Sequence, residues 1–197
     1  MVATSPGAAS DAPPPDRPPD QPRRRRRPLT TAVVAAAVAV VVVVALLLVT
    51  ADGPAEPAMP RFSLTNLAGG APVTYPAAPG TPTVVAFFAS WCVPCQTELP
   101  MVARVAGAEA RAGSPVRFVG VDGNDDPTAG LAFARRSGVT FAVGRDDQET
   151  VASALALPGL PDIVFVDRSG RVVHRIEGSG QVTVASLRTL TEQLAAG

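Results

Sequence analysis

The chain has 197 residues with no lysine, two cysteines and one histidine, and its basic and acidic residues, seventeen of each, cancel to a formal net charge of zero. The cancellation hides an asymmetry: residues 1–50 carry six Arg against three Asp, and residues 51–197 carry eleven Arg against fourteen acids. The C-terminal part therefore lacks the basic surplus that nucleic-acid binding needs, and two cysteines with one remote histidine do not make a four-ligand zinc set, so no metal site is expected.

Residues 1–28 hold eight prolines and few large apolar side chains, a composition that cannot bury a core and predicts a disordered tail. The tail contains five consecutive arginines, Arg23 to Arg27. Leu29 to Thr50 follows as 22 uncharged residues, nearly all Ala, Val and Leu. At about 1.5 Å per residue this run reaches roughly 33 Å, enough for a transmembrane helix. The preceding arginines predict a cytoplasmic N-terminus and an extracytoplasmic C-terminal domain, held at the cell membrane by a single-pass signal anchor. Val49-Thr50-Ala51 also suits a signal peptidase, and cleavage after Ala51 would release a secreted domain. The length of the apolar run favours the retained anchor. Residues 51–60, with three prolines, read as a semi-extended spacer, leaving 61–197 as one globular domain.

Within that domain Phe62 to Leu67 alternates as a strand does, with a turn at Ala68-Gly69-Gly70. Val84 to Phe88 is an uninterrupted apolar run suited to a buried strand. A helix is predicted from about Cys92 to Arg111, kinked where Pro100 removes a hydrogen bond. Val116–Asp122 reads as a strand. Asp125-Asp126-Pro127 caps a helix through Arg136 that ends at Gly138. A short helix is predicted over Asp146–Ala154. Ile163–Asp167 and Arg171–Ile176 form a hairpin, and a closing helix runs from Val182 to Ala195, capped by Thr183. His174 falls on an exposed strand. Asp122, Asp125 and Asp126 lack the spacing of a calcium loop and read as a solvated loop and cap.

The chemistry concentrates at Trp91-Cys92-Val93-Pro94-Cys95, which holds both cysteines between a strand and a helix. A cysteine at a helix N-terminus faces unpaired N–H groups and the positive end of the dipole, which favour a thiolate. Cys95 lies one turn on, where it can attack a mixed disulfide formed at Cys92. Pro94 stiffens the turn, and Trp91 shields the nucleophile. Glu98, three residues past Cys95, shares its helix face. It is placed either to relay a proton or to stabilise the helix start.

The segment from Phe87 to Pro100 resembles the active-site segment of thioredoxin-like, membrane-anchored thiol–disulfide oxidoreductases of the TlpA/ResA/DsbE-like group, and the resemblance extends over about residues 61–197. It implies an α/β thioredoxin-like fold, a central mixed sheet with helices on both faces, preceded here by the N-terminal transmembrane helix. By resemblance Cys92 is the nucleophile and Cys95 the resolving thiol, with Glu98 modulating their protonation. Pro161 corresponds to a cis-proline facing the cysteines, and Leu160 before it offers backbone hydrogen bonds to substrate, alongside Trp91 and Pro94. Two departures stand out. Ala86 occupies the position where thioredoxins bury an aspartate, and Asp162 follows the cis-proline where a small hydroxyl residue is usual. A carboxylate turned toward the sulfurs would raise the pKa of a thiol.

These readings predict an enzyme that exchanges disulfides through the redox-active Cys92–Cys95 pair without a further cofactor. Its expected partners are cysteine-containing exported proteins, for instance the haem-binding cysteines of an apocytochrome c, and a membrane redox protein. Reduction of those partners is favoured over oxidation, because an oxidant needs a strongly stabilised thiolate. A third reading, of a different class, is a non-catalytic module that holds Cu(I) between the two thiols.

Overall fold

A computed structural model of the chain describes residues 58–197 together with Val40. The expected tail, the rest of the expected span and residues 51–57 of the expected spacer lie outside the described residues. Among the described residues no helix is long and apolar enough to cross a membrane.

The domain is one seven-stranded mixed sheet: β1 Phe62–Asn66, β2 Val73–Tyr75, β3 Thr83–Phe88, β4 Arg117–Gly123, β5 Val143–Asp146, β6 Asp162–Val166 and β7 Val172–Glu177, in the order β2-β1-β5-β4-β3-β6-β7. Strands β3, β4 and β5 run parallel, and every other pairing is antiparallel. The helices are α1 Cys95–Ala112, α2 Pro127–Arg136, α3 Thr150–Ala154 and α4 Val184–Ala196.

All six residues of β3 are buried, as expected of a central strand covered on both faces. Alternation sorts them. Val84 and Ala86 join Ile163 and Phe165 of β6 beneath Val102 and Val105 of α1 and Leu187 and Leu194 of α4. Val85 and Phe87 join Val164 and Val166 on the other face, against Val151 of α3 and Leu155. A third cluster closes the end of the sheet, where Phe88 and Ala89 meet both cysteines, Leu99 and Phe133 of α2. Helix α1 buries Cys95, Glu98, Leu99, Val102, Val105 and Ala106, the three-and-four spacing of one apolar face.

Several expectations shift. Helix α1 begins at Cys95, with Pro94 as its N-cap, so Cys92 lies in the turn before the helix. Pro100 is accommodated within α1, which continues to Ala112. Two strands, β2 and β5, had no clear alternation to reveal them. Asp146, expected to open a helix, ends β5, and its carboxylate accepts N–H bonds from Thr150, Val151 and Ala152 at the start of α3. Residues 58–60, expected as spacer, join the domain: Ala58 bridges to Arg171, the Met59 N–H donates to the Gly170 carbonyl, and the Met59 side chain is buried. The caps foreseen at Asp126 and Thr183 are present.

The β1–β5 pairing depends on one close approach. A Cβ added to Gly144 would lie 2.7 Å from the Leu64 Cβ and 2.9 Å from its Cδ1. Overpacking of this kind costs about 1–3 kcal/mol. Gly144→Ala is therefore expected to lower the urea-unfolding free energy by about that amount. Gly159→Ala, where an added Cβ meets nothing within 4 Å, should stay within about 0.5 kcal/mol of the parent.

Candidate active site

The chain leaves β3 at Phe88 and reaches α1 at Cys95 through a turn that the rest of the domain holds in place. The Cys92 N–H closes the turn onto the Ala89 carbonyl at 3.2 Å. The two cysteines form a disulfide with Cα atoms 5.3 Å apart. Their environments differ: Cys95 is wholly buried, while Cys92 keeps 4% of its surface, so an approaching sulfur meets Cys92. The Cys95 N–H, first of the helix, points at the Cys92 Sγ at 3.3 Å. A donor in that position, at the positive end of α1, favours a thiolate on Cys92 once the disulfide opens.

Around this pair stand most of the residues singled out in the sequence. Pro161 is buried, joined to Leu160 by a cis peptide bond, and lines a small cavity of about 10 Å³ with Cys95, Glu98, Phe88 and Ile163. Leu160 is half-buried. Trp91 and Val93 are exposed, at 57% and 73%, and make an apolar rim beside the disulfide. Trp91 thus flanks the cysteines more than it covers them, and its indole N–H donates to the Asn124 carbonyl at 3.1 Å. A second cis peptide bond, Tyr75–Pro76, had no signal in the sequence.

Glu98 is 4% exposed. One of its oxygens accepts the Gly180 N–H at 2.9 Å, and the other, Oε2, is buried without a hydrogen-bond partner. Burial raises this carboxyl above its ordinary range, partly opposed by the Gly180 N–H. An exposed acid serving only the helix dipole would not be held this way.

Asp162 is not part of the sulfur environment. Ile163 points to the α1 face, so by alternation Asp162 points to the opposite one. There it is fully buried, and Arg175 meets it with Nε at 3.0 Å and Nη2 at 2.9 Å. Burial raises its pKa and Arg175 pulls it back. Ala86, at the position where thioredoxins bury an aspartate, is packed in the core. Glu98 is accordingly the carboxyl beside Cys95.

Sequence reasoning missed the loop after β4. Asp126 alone caps α2, accepting from Thr128 and Ala129. Asp125 instead accepts both the Ser90 N–H and, at 2.7 Å, the Ser90 hydroxyl. Asp122, read as solvated, is 1% exposed. One signal was available: a single residue caps a helix, so the first of two aspartates before Pro127 was free for another partner. His174 is exposed, as expected. Among the described residues no group of three or more His, Cys, Asp or Glu is placed to hold a metal.

A mixed sheet of this order, with a cysteine pair at the start of α1 and a cis-proline facing it, defines a thioredoxin-like α/β protein. The chain belongs to the redoxin family, whose model matches residues 54–191. It is similar to a thiol:disulfide interchange protein, the DsbE homolog of Paracoccus denitrificans: 36% identical over 96 residues, 48% of this chain and 50% of that protein. It is also similar to the thiol-disulfide oxidoreductase ResA of Geobacillus thermodenitrificans: 30% identical over 94 residues, 47% of this chain and 52% of that protein. The chain thus spans about half the length of these curated relatives. Among solved structures, MTB dsbF in its mixed oxidized and reduced forms aligns with a TM-score of 0.61 at 30% identity, over 70% of this chain and 98% of that one.

The Glu98 environment predicts a pH dependence of stability. A folded-state pKa above the ordinary 4.5 means that folding favours the protonated acid. The stability this gives is complete below the unfolded pKa and is lost as pH rises through the folded one. Glu98→Gln cannot ionise and keeps a carbonyl for Gly180. In the oxidised protein, the unfolding free energy of the variant should gain on the parent as the pH rises above the ordinary 4.5 of a glutamate. Parallel pH profiles would contradict this assignment.

Proposed function

We propose that this chain is an extracytoplasmic thiol–disulfide oxidoreductase that reduces disulfides in exported proteins. The observation that carries the reading is the asymmetry of the cysteine pair: Cys95 is sealed, and Cys92 sits at the mouth of α1 with a backbone N–H aimed at its sulfur. The names of the similar proteins, a thiol:disulfide interchange protein and a thiol-disulfide oxidoreductase, support the same reaction class.

In the reduced enzyme the Cys92 thiolate attacks one sulfur of a partner's disulfide, and the other partner sulfur leaves as a thiolate that takes up a proton. Cys95 then loses its proton, with Glu98 beside it as the acceptor, and attacks the Cys92 sulfur of the mixed disulfide. The partner leaves with both thiols, and the enzyme holds the Cys92–Cys95 disulfide. Two electrons have passed to the partner, and a membrane redox protein bearing a dithiol returns them. During the mixed-disulfide stage the exposed Trp91 and Val93, with the Leu160–Pro161 backbone opposite, are the surfaces on which a partner chain rests. Exported cysteine-bearing proteins such as an apocytochrome c are the substrate class, and the apolar run 29–50 holds the domain at the membrane in this reading.

Charge favours the reducing direction. A strong oxidant owes its potential to a heavily stabilised thiolate. A buried carboxyl beside Cys95 opposes negative charge on the sulfurs, and Asp162 does not contribute.

Trapping tests the roles. Incubated with a disulfide-bearing protein, Cys95→Ser should accumulate a mixed disulfide through Cys92, visible on a non-reducing gel. Cys92→Ser should show only the uncatalysed reduction rate. Trapping by Cys92→Ser in place of Cys95→Ser would reverse the assignment. Tight Cu(I) binding by the reduced chain without any exchange would replace the enzyme with a metal-binding module.

A further inference from the structure

The ion pair between Asp162 and Arg175 takes no part in the exchange of sulfurs. Asp162 opens β6 immediately after Pro161, and Arg175 stands opposite Val164 on β7. Val164 and Asp162 share a face of the sheet, so the two charged side chains meet diagonally across the strands. The Arg175 Nε lies 3.0 Å from each carboxylate oxygen, and Nη2 lies 2.9 Å from one of them. The exposed Glu177 adds a contact to Nε at 3.3 Å.

The same guanidinium reaches the far end of the loop that leads into β6. Its Nη1 donates to the Leu155 carbonyl at 3.4 Å. Leu155 is the C-cap of α3, where a helix leaves its last carbonyls without an internal partner. Between these two anchors the chain runs from Ala156 to Pro161. Ala156 has a φ of 49°, in the left-handed region that a residue with a Cβ holds where its surroundings fix it. Ala156, Pro158 and Gly159 are exposed, so much of the loop rests on its two ends. Leu160 follows, packed in the same cluster as both cysteines. A planar, forked cation suits the task of gripping both ends, because it donates in several fixed directions at once.

We propose that Arg175 is a positioning residue for partner recognition: by pairing with Asp162 and bonding Leu155 it staples the two ends of the 155–162 loop, and so holds the Leu160 backbone in register for a partner polypeptide bound at Cys92. The consequence for partners rests on the oxidoreductase reading, whereas the staple itself does not. The effect is selective. A disulfide within a polypeptide uses the Leu160 backbone as well as the Cys92 sulfur, and a small disulfide uses the sulfur alone. The carboxylate that stands at 162, where a small hydroxyl residue is usual, is the arginine's anchor.

Arg175→Lys separates the staple from the charge. One ammonium keeps a cation beside the buried Asp162 but lacks the fork that reaches Leu155 as well. The full-length chain, reduced beforehand, is mixed with insulin or with hydroxyethyl disulfide, and the rate of Cys92–Cys95 disulfide formation is followed. The variant should match the parent with hydroxyethyl disulfide and be slower by about tenfold with insulin, the worth of about one hydrogen bond. Amide hydrogen exchange on the oxidised chain reads the staple directly. The Ala156 and Leu157 N–H groups, bonded to the Ser153 and Ala152 carbonyls, should exchange faster in the variant, with Val164 in the middle of β6 unchanged. If Arg175→Lys does not fold, the double variant Asp162→Asn with Arg175→Gln replaces the ion pair by a neutral amide pair too short to reach Leu155, and should show the same selective loss. Equal loss with both disulfides, or no loss with either, overturns the proposal. If the parent exchanges neither disulfide, the oxidoreductase reading falls and hydrogen exchange alone decides the staple: unchanged exchange at Ala156 and Leu157 refutes it.

Discussion

Strand β3 is buried along its whole length, so the chain that leaves it turns at the end of the sheet and enters α1 at Cys95. That geometric constraint creates the site. A helix beginning at the end of a buried strand leaves N–H groups unpaired at the surface of the core, and the Cys95 N–H finds the Cys92 sulfur. The same packing that buries Cys95 under Phe88 and Leu99 leaves Cys92 at the rim. The two cysteines are thus distinguished by depth before any charge is considered.

Charge then acts through three buried carboxyls that the fold keeps apart. Asp162 lies on the far face of the sheet and is neutralised by Arg175. Glu98 lies beside Cys95, bound on one oxygen by Gly180 and bare on the other. Asp122 lies under the loop that holds Trp91. All three carboxyls are raised by burial, and they differ in the partner available to each. A buried acid with an arginine serves the sheet. A buried acid with a vacant oxygen next to a thiol suits proton transfer.

Much of this could be read from the residues alone, and the reasons are specific. The run Val84–Phe88 and the cysteine spacing are local signals, as are the caps at Asp126 and Thr183 and the hairpin around Ser169. Strand β5 escaped notice because its four residues include Gly144 and two charged side chains, Arg145 and Asp146, and it is held in place by Leu64 and by its neighbours β4 and β1. The true start of α1 at Cys95 was masked by Pro94, which suits a cap and a first turn equally. The orientation of Asp162 and the links from Asp125 to Ser90 and from Gly180 to Glu98 are tertiary. The partners are thirteen, thirty-five and eighty-two residues apart, beyond the reach of any local pattern.

The central claim is that this cysteine pair gives electrons to its partners. The reduction potential of the Cys92–Cys95 couple, measured on the full chain equilibrated against glutathione buffers, tests it most directly. The account predicts a value near about −270 mV or lower, in the range of reducing thioredoxins. A value near about −120 mV, that of a disulfide donor, would contradict it.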